Sequence, residues 1–168
     1  MNIRDMTAND ADAVLAIYAQ GIATGHATFE HSPPDWAGFD AKRLKTPRLV
    51  AELDGQVVGW AAASGVSDRC VYDGVAEGTI YVSEAARGRG VGKALLSAFI
   101  AAAEDAGIWT LNAGVFVEND ASIRLHEACG YRMVGTRKAL GKMGFGPMAG
   151  KWRDVALMEY RSERVGVD

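Results

Sequence analysis

Arg87, Gly88, Arg89, Gly90, Val91 and Gly92 form a glycine-rich run between two patterned stretches. The alternating Thr79-Ile80-Tyr81-Val82 before it predicts a strand, and the apolar stretch from Lys93 to Ala106 after it predicts a helix. A glycine turn that leaves a strand and opens a helix gathers unpaired N–H groups at the positive end of the helix dipole. The two arginines add charge-assisted donors beside it. The chemistry this allows is the grip of a phosphate or pyrophosphate. A tight structural turn is the other use of such glycines.

Two common phosphate motifs do not account for the run. No GxxxxGK[ST] is present, which argues against a nucleoside-triphosphate loop. A dinucleotide fingerprint needs GxGxxG after the first strand, whereas Gly88, Gly90 and Gly92 come mid-chain with a different third spacing. Asn119, Ser122 and His126 recur at i, i+3, i+7, which puts them on one helical face, with Ala121, Leu125 and Ala128 on another. A cap plus a solvated polar face is the plain reading of that stripe. Glu77 stands where a loop enters the strand that leads to the glycines, and a carboxylate there either serves a cleft or is a strand-end charge.

The elements that must position these groups are legible in outline. Residues 2–6 read as a strand, with Thr7 and Asp10 in capping-box spacing before a helix that Gly21 should stop. A loop with His26, Phe29, Glu30 and His31 leads to a helix over 35–44, which Pro47 ends. Residues 48–53 and 56–63 flank Asp54-Gly55, the preferred pair for a type I′ hairpin turn. Strands follow over 76–83 and 110–117, the latter apolar enough to be buried on both faces. Asn119 or Asp120 caps a short helix that Gly130 closes, and strands are predicted over 131–137 and 155–160. The glycine-rich 141–150 segment reads as a loop.

The chain has 168 residues, 49% hydrophobic and 23% charged, which suits one soluble domain. Its net charge of -3 offers no field for nucleic acid. Two distant cysteines, Cys70 and Cys129, fit no zinc spacing and read as reduced thiols of a cytoplasmic protein. No metal site is expected. The N-terminus has no apolar signal core, and no run of about 18 apolar residues predicts a membrane span.

Taken together, these residues resemble the GNAT superfamily of acetyl-CoA-dependent N-acetyltransferases. Arg87-x-x-Gly90-x-Gly92 matches its [QR]-x-x-G-x-[GA] pyrophosphate motif, and Asn119-x-x-Ser122-Ile123-x-Leu125-His126-x-x-x-Gly130-Tyr131 resembles its later motif. Within it the chain is similar to the phosphinothricin and methionine sulfoximine acetyltransferase group. Thr28-Phe29-Glu30, Tyr72-Asp73-Gly74-Val75-Ala76-Glu77, Leu125 to Tyr131 and Trp152-Arg153-Asp154-Val155 carry that likeness. The resemblance implies a single α/β (α+β) domain over residues 1–168, with a mixed sheet of about six to seven strands flanked by helices on both faces.

The resemblance also implies roles. Acetyl-CoA is the cosubstrate, held by Tyr81 and Val82 of the strand, by Arg87, Gly88, Arg89, Gly90, Val91, Gly92 and Lys93, and by Asn119 and Ser122. Glu77 matches the general base. His126 matches a histidine of that group which replaces the tyrosine many relatives use near the leaving thiol, and it is the implied proton donor to the thiolate, with Tyr131 the other candidate. Phe29, Arg69 and Tyr72 match positions lining the acceptor pocket, the acceptor being a small-molecule amine of the phosphinothricin, methionine sulfoximine or methionine sulfone type. A homodimer is implied as well. The chain departs from the group in keeping only Arg69 in the arginine-rich loop before Glu77, with Ser67 and Asp73 at the other places, and in a longer Gly144–Lys151 loop. The loop's mixed charges, Asp68, Arg69 and Asp73, leave open another amine (a protein N-terminus, polyamine or aminoglycoside), and a non-catalytic CoA sensor is the third reading.

Overall fold

The computed structural model describes residues 1–167. One seven-stranded sheet runs β1 (Asn2–Asp5), β2 (Arg48–Leu53), β3 (Gln56–Gly65), β4 (Val75–Val82), β5 (Thr110–Phe116), β7 (Trp152–Arg161), β6 (Arg132–Lys142) from edge to edge. All neighbours are antiparallel except β4 and β5. That parallel pair is short, with Val75, Ala76 and Glu77 against Thr110, Leu111 and Asn112. Beyond Glu77, β4 stays paired with β3 and β5 with β7, so the two halves of the sheet separate and leave a gap between their inner strands.

Helices cover both faces, as expected of this class. On one, α3 (Val91–Asp105) lays Leu95, Leu96, Phe99 and Ile100 on Leu49, Ala61, Ala63 and Ala76, with Leu125 of α4 (Asp120–Glu127) alongside. On the other, α1 (Ala11–Ala23) and α2 (Trp36–Lys42) pack Val14, Ile17, Tyr18, Ile22 and Phe39 on Val50, Trp60 and Ala62. The hairpin turn forms as the sequence requires, with Asp54 at φ 51° and Gly55 at φ 79°. Asp10 accepts hydrogen bonds from the Thr7 amide at 2.7 Å and from Arg4 at 2.8 and 2.9 Å, fixing the entry to α1.

Several expectations are corrected. Gly21 does not end α1, which runs on to Ala23. Its missing side chain makes room for Tyr81, whose Cε1 a β-carbon there would overlap. The second helix stops at Lys42, well before Pro47, and Arg43 turns to extended φ/ψ. β5 is not buried on both faces, because Gly114 is exposed and Asn112 half-exposed on one side. β6 continues through Gly141 and Lys142, which pair with Arg153 and Trp152. Ala139 makes this possible by taking φ 47°, with its amide donating to Asp154 Oδ1 at 2.7 Å. Such a bulge inserts unpaired residues without ending the strand. The segment expected to be a loop from 141 therefore begins at Met143.

Candidate active site

The glycine run folds as an open cradle. Gly88 and Gly90 take φ 74° and 78°, the left-handed region glycine reaches without steric cost. The first α-helical bond of α3 runs from the Ala94 amide to the Gly90 carbonyl at 3.1 Å. The amides of residues 88–93 make no hydrogen bond among the described residues. A β-carbon at Gly88 or Gly90 would meet nothing within 4 Å, so solvent faces this row of donors. Arg87, Arg89 and Lys93 are exposed around it, and none forms an ion pair among the described residues. Free amides at a helix start, framed by cations, fit a diphosphate.

The gap between β4 and β5 continues from this cradle. The Ser83 amide donates to Val58 at 2.8 Å, and the Gly74 carbonyl accepts from Trp109 and Thr110 on the β5 side. Backbone groups alternate sides along a strand. Odd-numbered residues of β4 therefore turn their amides to β3, while Gly78, Ile80 and Val82 turn theirs to the gap. Val82 thus offers a free amide, whereas that of Tyr81 belongs to the ladder opposite Trp60. The Tyr81 ring instead stacks on Trp60 at 5.0 Å and leans on Tyr18 at 4.8 Å.

Glu77 is exposed on the α1–α2 face, opposite Ser64 on one side and Asn112 on the other. It lines a cleft of about 390 Å³ together with Ser64, Asn112, Gly114, Arg137 and Leu157. A second cleft of about 240 Å³ shares Ser64 and runs between Tyr18, Glu30, Pro34, Phe39 and Arg43. Sequence reasoning missed Ser64, Asn112 and Arg137. Their only signal was strand parity, which requires the pairing register to be known.

Of the three residues matched to an acceptor pocket, Arg69 and Tyr72 lie together, the guanidinium 5.5 Å from the ring centroid, on an exposed turn before β4. Phe29 is elsewhere, edge-on to Phe116 at 4.8 Å and seated over Gly141. None of the three lines the cleft beside Glu77.

The polar stripe on α4 is not solvated. Asn119 caps the helix, its Oδ1 accepting from the Ser122 amide at 3.2 Å, and its Nδ2 donates to the His26 carbonyl at 3.2 Å. His126 is buried, while Ala121 and Ala128 face outward. Its Nδ1 donates to the Ser122 carbonyl at 2.8 Å, since a carbonyl can only accept. Burial holds its pKa below the usual imidazole value. The His126 ring meets Tyr131 edge-on at 4.8 Å. Tyr131 is 4% exposed, and its hydroxyl has no hydrogen-bond partner among the described residues. That hydroxyl would stand 3.7 Å from a β-carbon placed on Gly78, just past the point where β4 and β5 part.

A splayed mixed sheet with an amide cradle at the mouth of the gap defines a class of acyl-transfer protein. The chain belongs to the acetyltransferase (GNAT) family, whose model matches residues 16–131. It is 37% identical to phosphinothricin N-acetyltransferase of Alcaligenes faecalis over 163 residues, covering 94% of this chain and 80% of that one. It is 32% identical to an L-methionine sulfoximine/L-methionine sulfone acetyltransferase of Pseudomonas paraeruginosa, covering 94% and 92%. A phosphinothricin acetyltransferase from Sinorhizobium meliloti, solved in complex with AcCoA, superimposes with a TM-score of 0.85 at 33% identity, covering 98% of this chain and 90% of that one. Among the described residues no helix is long and apolar enough to cross a membrane.

Proposed function

We propose that this chain, as one acetyltransferase domain over residues 1–168, transfers the acetyl group of acetyl-CoA to the α-amine of a small amino-acid-like acceptor. The phosphinothricin, methionine sulfoximine and methionine sulfone class is the best match. The observation that carries the reading is the row of unpaired amides at 88–93, set at the mouth of a gap that leads to Glu77. When bound, the cosubstrate supplies an activated thioester. Amides 88–93 with Arg87, Arg89 and Lys93 hold its diphosphate. The outward amides of Ile80 and Val82 hold the arm that enters the gap. Asn119, whose side chain is spent on the cap and on His26, builds the α4 turn beside it. The Ser122 hydroxyl has only a 3.5 Å contact with His126 and remains available to the cosubstrate.

An amino-acid amine is an ammonium ion at neutral pH and must lose a proton before it attacks. Glu77 Oε accepts that proton, directly or through water. Residues 77 and 78 point to opposite faces of β4, so the base lies on one face of the gap and the Tyr131 hydroxyl on the other. Tyr131 Oη delivers the proton required on the departing side. His126 does not, because its Nδ1 hydrogen is committed to Ser122 and its depressed pKa keeps it neutral. It acts by fixing the Tyr131 ring. Much of the rate comes from placing amine and thioester together.

A thiol-release assay with a panel of amines tests the proposal. Turnover is expected on phosphinothricin and methionine sulfone. Turnover confined to peptides, polyamines or aminoglycosides would replace the acceptor class, and tight CoA binding with no turnover would favour a sensor. A homodimer is supported by β6, an outermost strand exposed along nearly all its length with Met133, Val134 and Leu140 in the open. Sedimentation at micromolar concentration checks it. Free Cys70 and Cys129 suit a reducing cytoplasm.

A further inference from the structure

The buried arginines, Arg48 and Arg153, are each satisfied by a carboxylate. Arg4, Arg48, Arg132, Arg153 and Arg164 each pair with one, including the fully buried Arg153. Arg43 is the exception beneath the surface. Its guanidinium lies over the rings of Phe39 and Trp60, 5.4 and 5.7 Å from their centroids. Nη1 donates to Ser64 Oγ at 3.1 Å and Thr79 Oγ1 at 2.8 Å. Nε is buried with no partner, and Nη2 makes no hydrogen bond among the described residues. Glu30, which lines the same cleft, forms no ion pair with it.

A desolvated cation without an anion is costly. We infer that Arg43 is the receptor for the α-carboxylate of the acceptor, which fixes the acceptor's amine toward Glu77. This rests on the amino-acid reading above. The placement agrees with the size of an amino acid. Ser64 is the register partner of Glu77, and Thr79 lies two residues along β4 on the same face. Nη1 therefore sits between the level of Glu77 and a point two residues, about 7 Å, along the strand. An α-amino acid carries both groups on one carbon, so a carboxylate held here by a charge-assisted bond of about 2.8 Å brings the amine within reach of Glu77.

Other arginines fit this role less well. Arg137 lines the Glu77 cleft but belongs to β6, three strands away and on the order of 14 Å across the sheet. Arg69 is on an exposed turn and does not line either cleft. The rings of Phe39 and Trp60 hold the Arg43 plane, and its two hydroxyl partners fix one edge. What remains open is Nη2, unpaired among the described residues and not enclosed, which is the donor left for a carboxylate oxygen; Nε is shut in beside the rings.

The experiment compares methionine sulfone with its methyl ester in wild type, Arg43→Gln and Arg43→Lys, with melting curves to check folding. The comparison between proteins cancels the intrinsic difference between acid and ester. Wild type should prefer the acid relative to Arg43→Gln by roughly 10- to 100-fold in kcat/KM, the range of a charge-assisted bond. The loss should appear as a raised KM for the acid, with ester turnover and the acetyl-CoA KM within about twofold. Arg43→Lys keeps the charge without the planar guanidinium and should retain part of the preference. If Arg43→Gln does not fold, the lysine variant carries the test alone. An undiminished acid preference in a folded variant, or equal losses on acid and ester, overturns the inference and leaves the acetyltransferase reading standing. Wild type that acetylates neither compound sinks the amino-acid reading and this inference with it.

Discussion

Replacing Tyr131 with phenylalanine should make the protein more stable and much less active. The ring packs against His126 at 4.8 Å and Tyr160 at 5.8 Å, and phenylalanine keeps those contacts. Only the hydroxyl goes, and it is buried without a partner among the described residues. Leaving such a group unsatisfied costs about 1–3 kcal/mol. Part of that gain is offset by the small void where the oxygen was, so a net stabilisation of about 1–2 kcal/mol is expected. For a chain of this size that raises Tm by about 2–8 °C. Loss of a positioned acid should lower kcat by roughly 10²- to 10⁴-fold while CoA affinity is unchanged.

The pH dependence adds a signature. Burial pushes the Tyr131 pKa above the usual phenol value. The neutral phenol therefore contributes stability that is fully present below its unfolded pKa of about 10 and lost as pH rises beyond it. The phenylalanine variant should lose this alkaline slope. Thermal melts across pH, thiol-release kinetics and CoA calorimetry on the two proteins read all of these effects. A lower Tm together with a kcat within about twofold of wild type would refute the reasoning, because the hydroxyl would then be a structural anchor rather than a proton donor.

Other perturbations have equally direct readouts. Glu77→Gln should lower kcat by roughly 10²-fold or more with CoA binding intact, and normal turnover at neutral pH removes Glu77 from the base role. Gly90→Glu places a charged side chain at a φ of 78° beside the amide cradle and should abolish CoA binding by calorimetry, so unchanged affinity counts against the phosphate site. Gly21→Ala gains helix propensity but drives a methyl into Tyr81, which is pinned against Trp60, so a net loss of about 1–3 kcal/mol is expected and a raised Tm contradicts it. Hydrogen bonding to Arg4 holds the Asp10 carboxyl at about 2, so its stabilisation is present above pH 4 and lost as pH falls through 2. Asp10→Asn should flatten Tm against pH across that window, and an unchanged slope rules this pair out as a source of acid sensitivity.

How much of this was legible follows from the range of each interaction. The capping spacing of Thr7 and Asp10, the Asp54-Gly55 turn and the strand–glycine–helix sequence around Gly90 depend on neighbours a few residues away, and all formed. Gly21 misled because glycine stops helices by its own φ freedom, whereas here it gives way to a ring from a strand sixty residues on. The end of β6 misled because the bulge at Ala139 is held by Asp154 on the neighbouring strand. The α4 stripe was right in its spacing and wrong in its exposure, because periodicity fixes which residues share a face but not which way the face turns.

The amino-acid order alone determined the family, the glycine turn and the place of Glu77 at the head of β4, since each is written in short motifs whose backbone geometry is locally encoded. Only the tertiary structure decided that β4 and β5 part after Glu77, that Gly78 sets the Tyr131 hydroxyl on the far side of that gap, and that Arg43 is left without a carboxylate. Those depend on register and burial between distant segments, where a single shifted residue turns a side chain to the opposite face of the sheet.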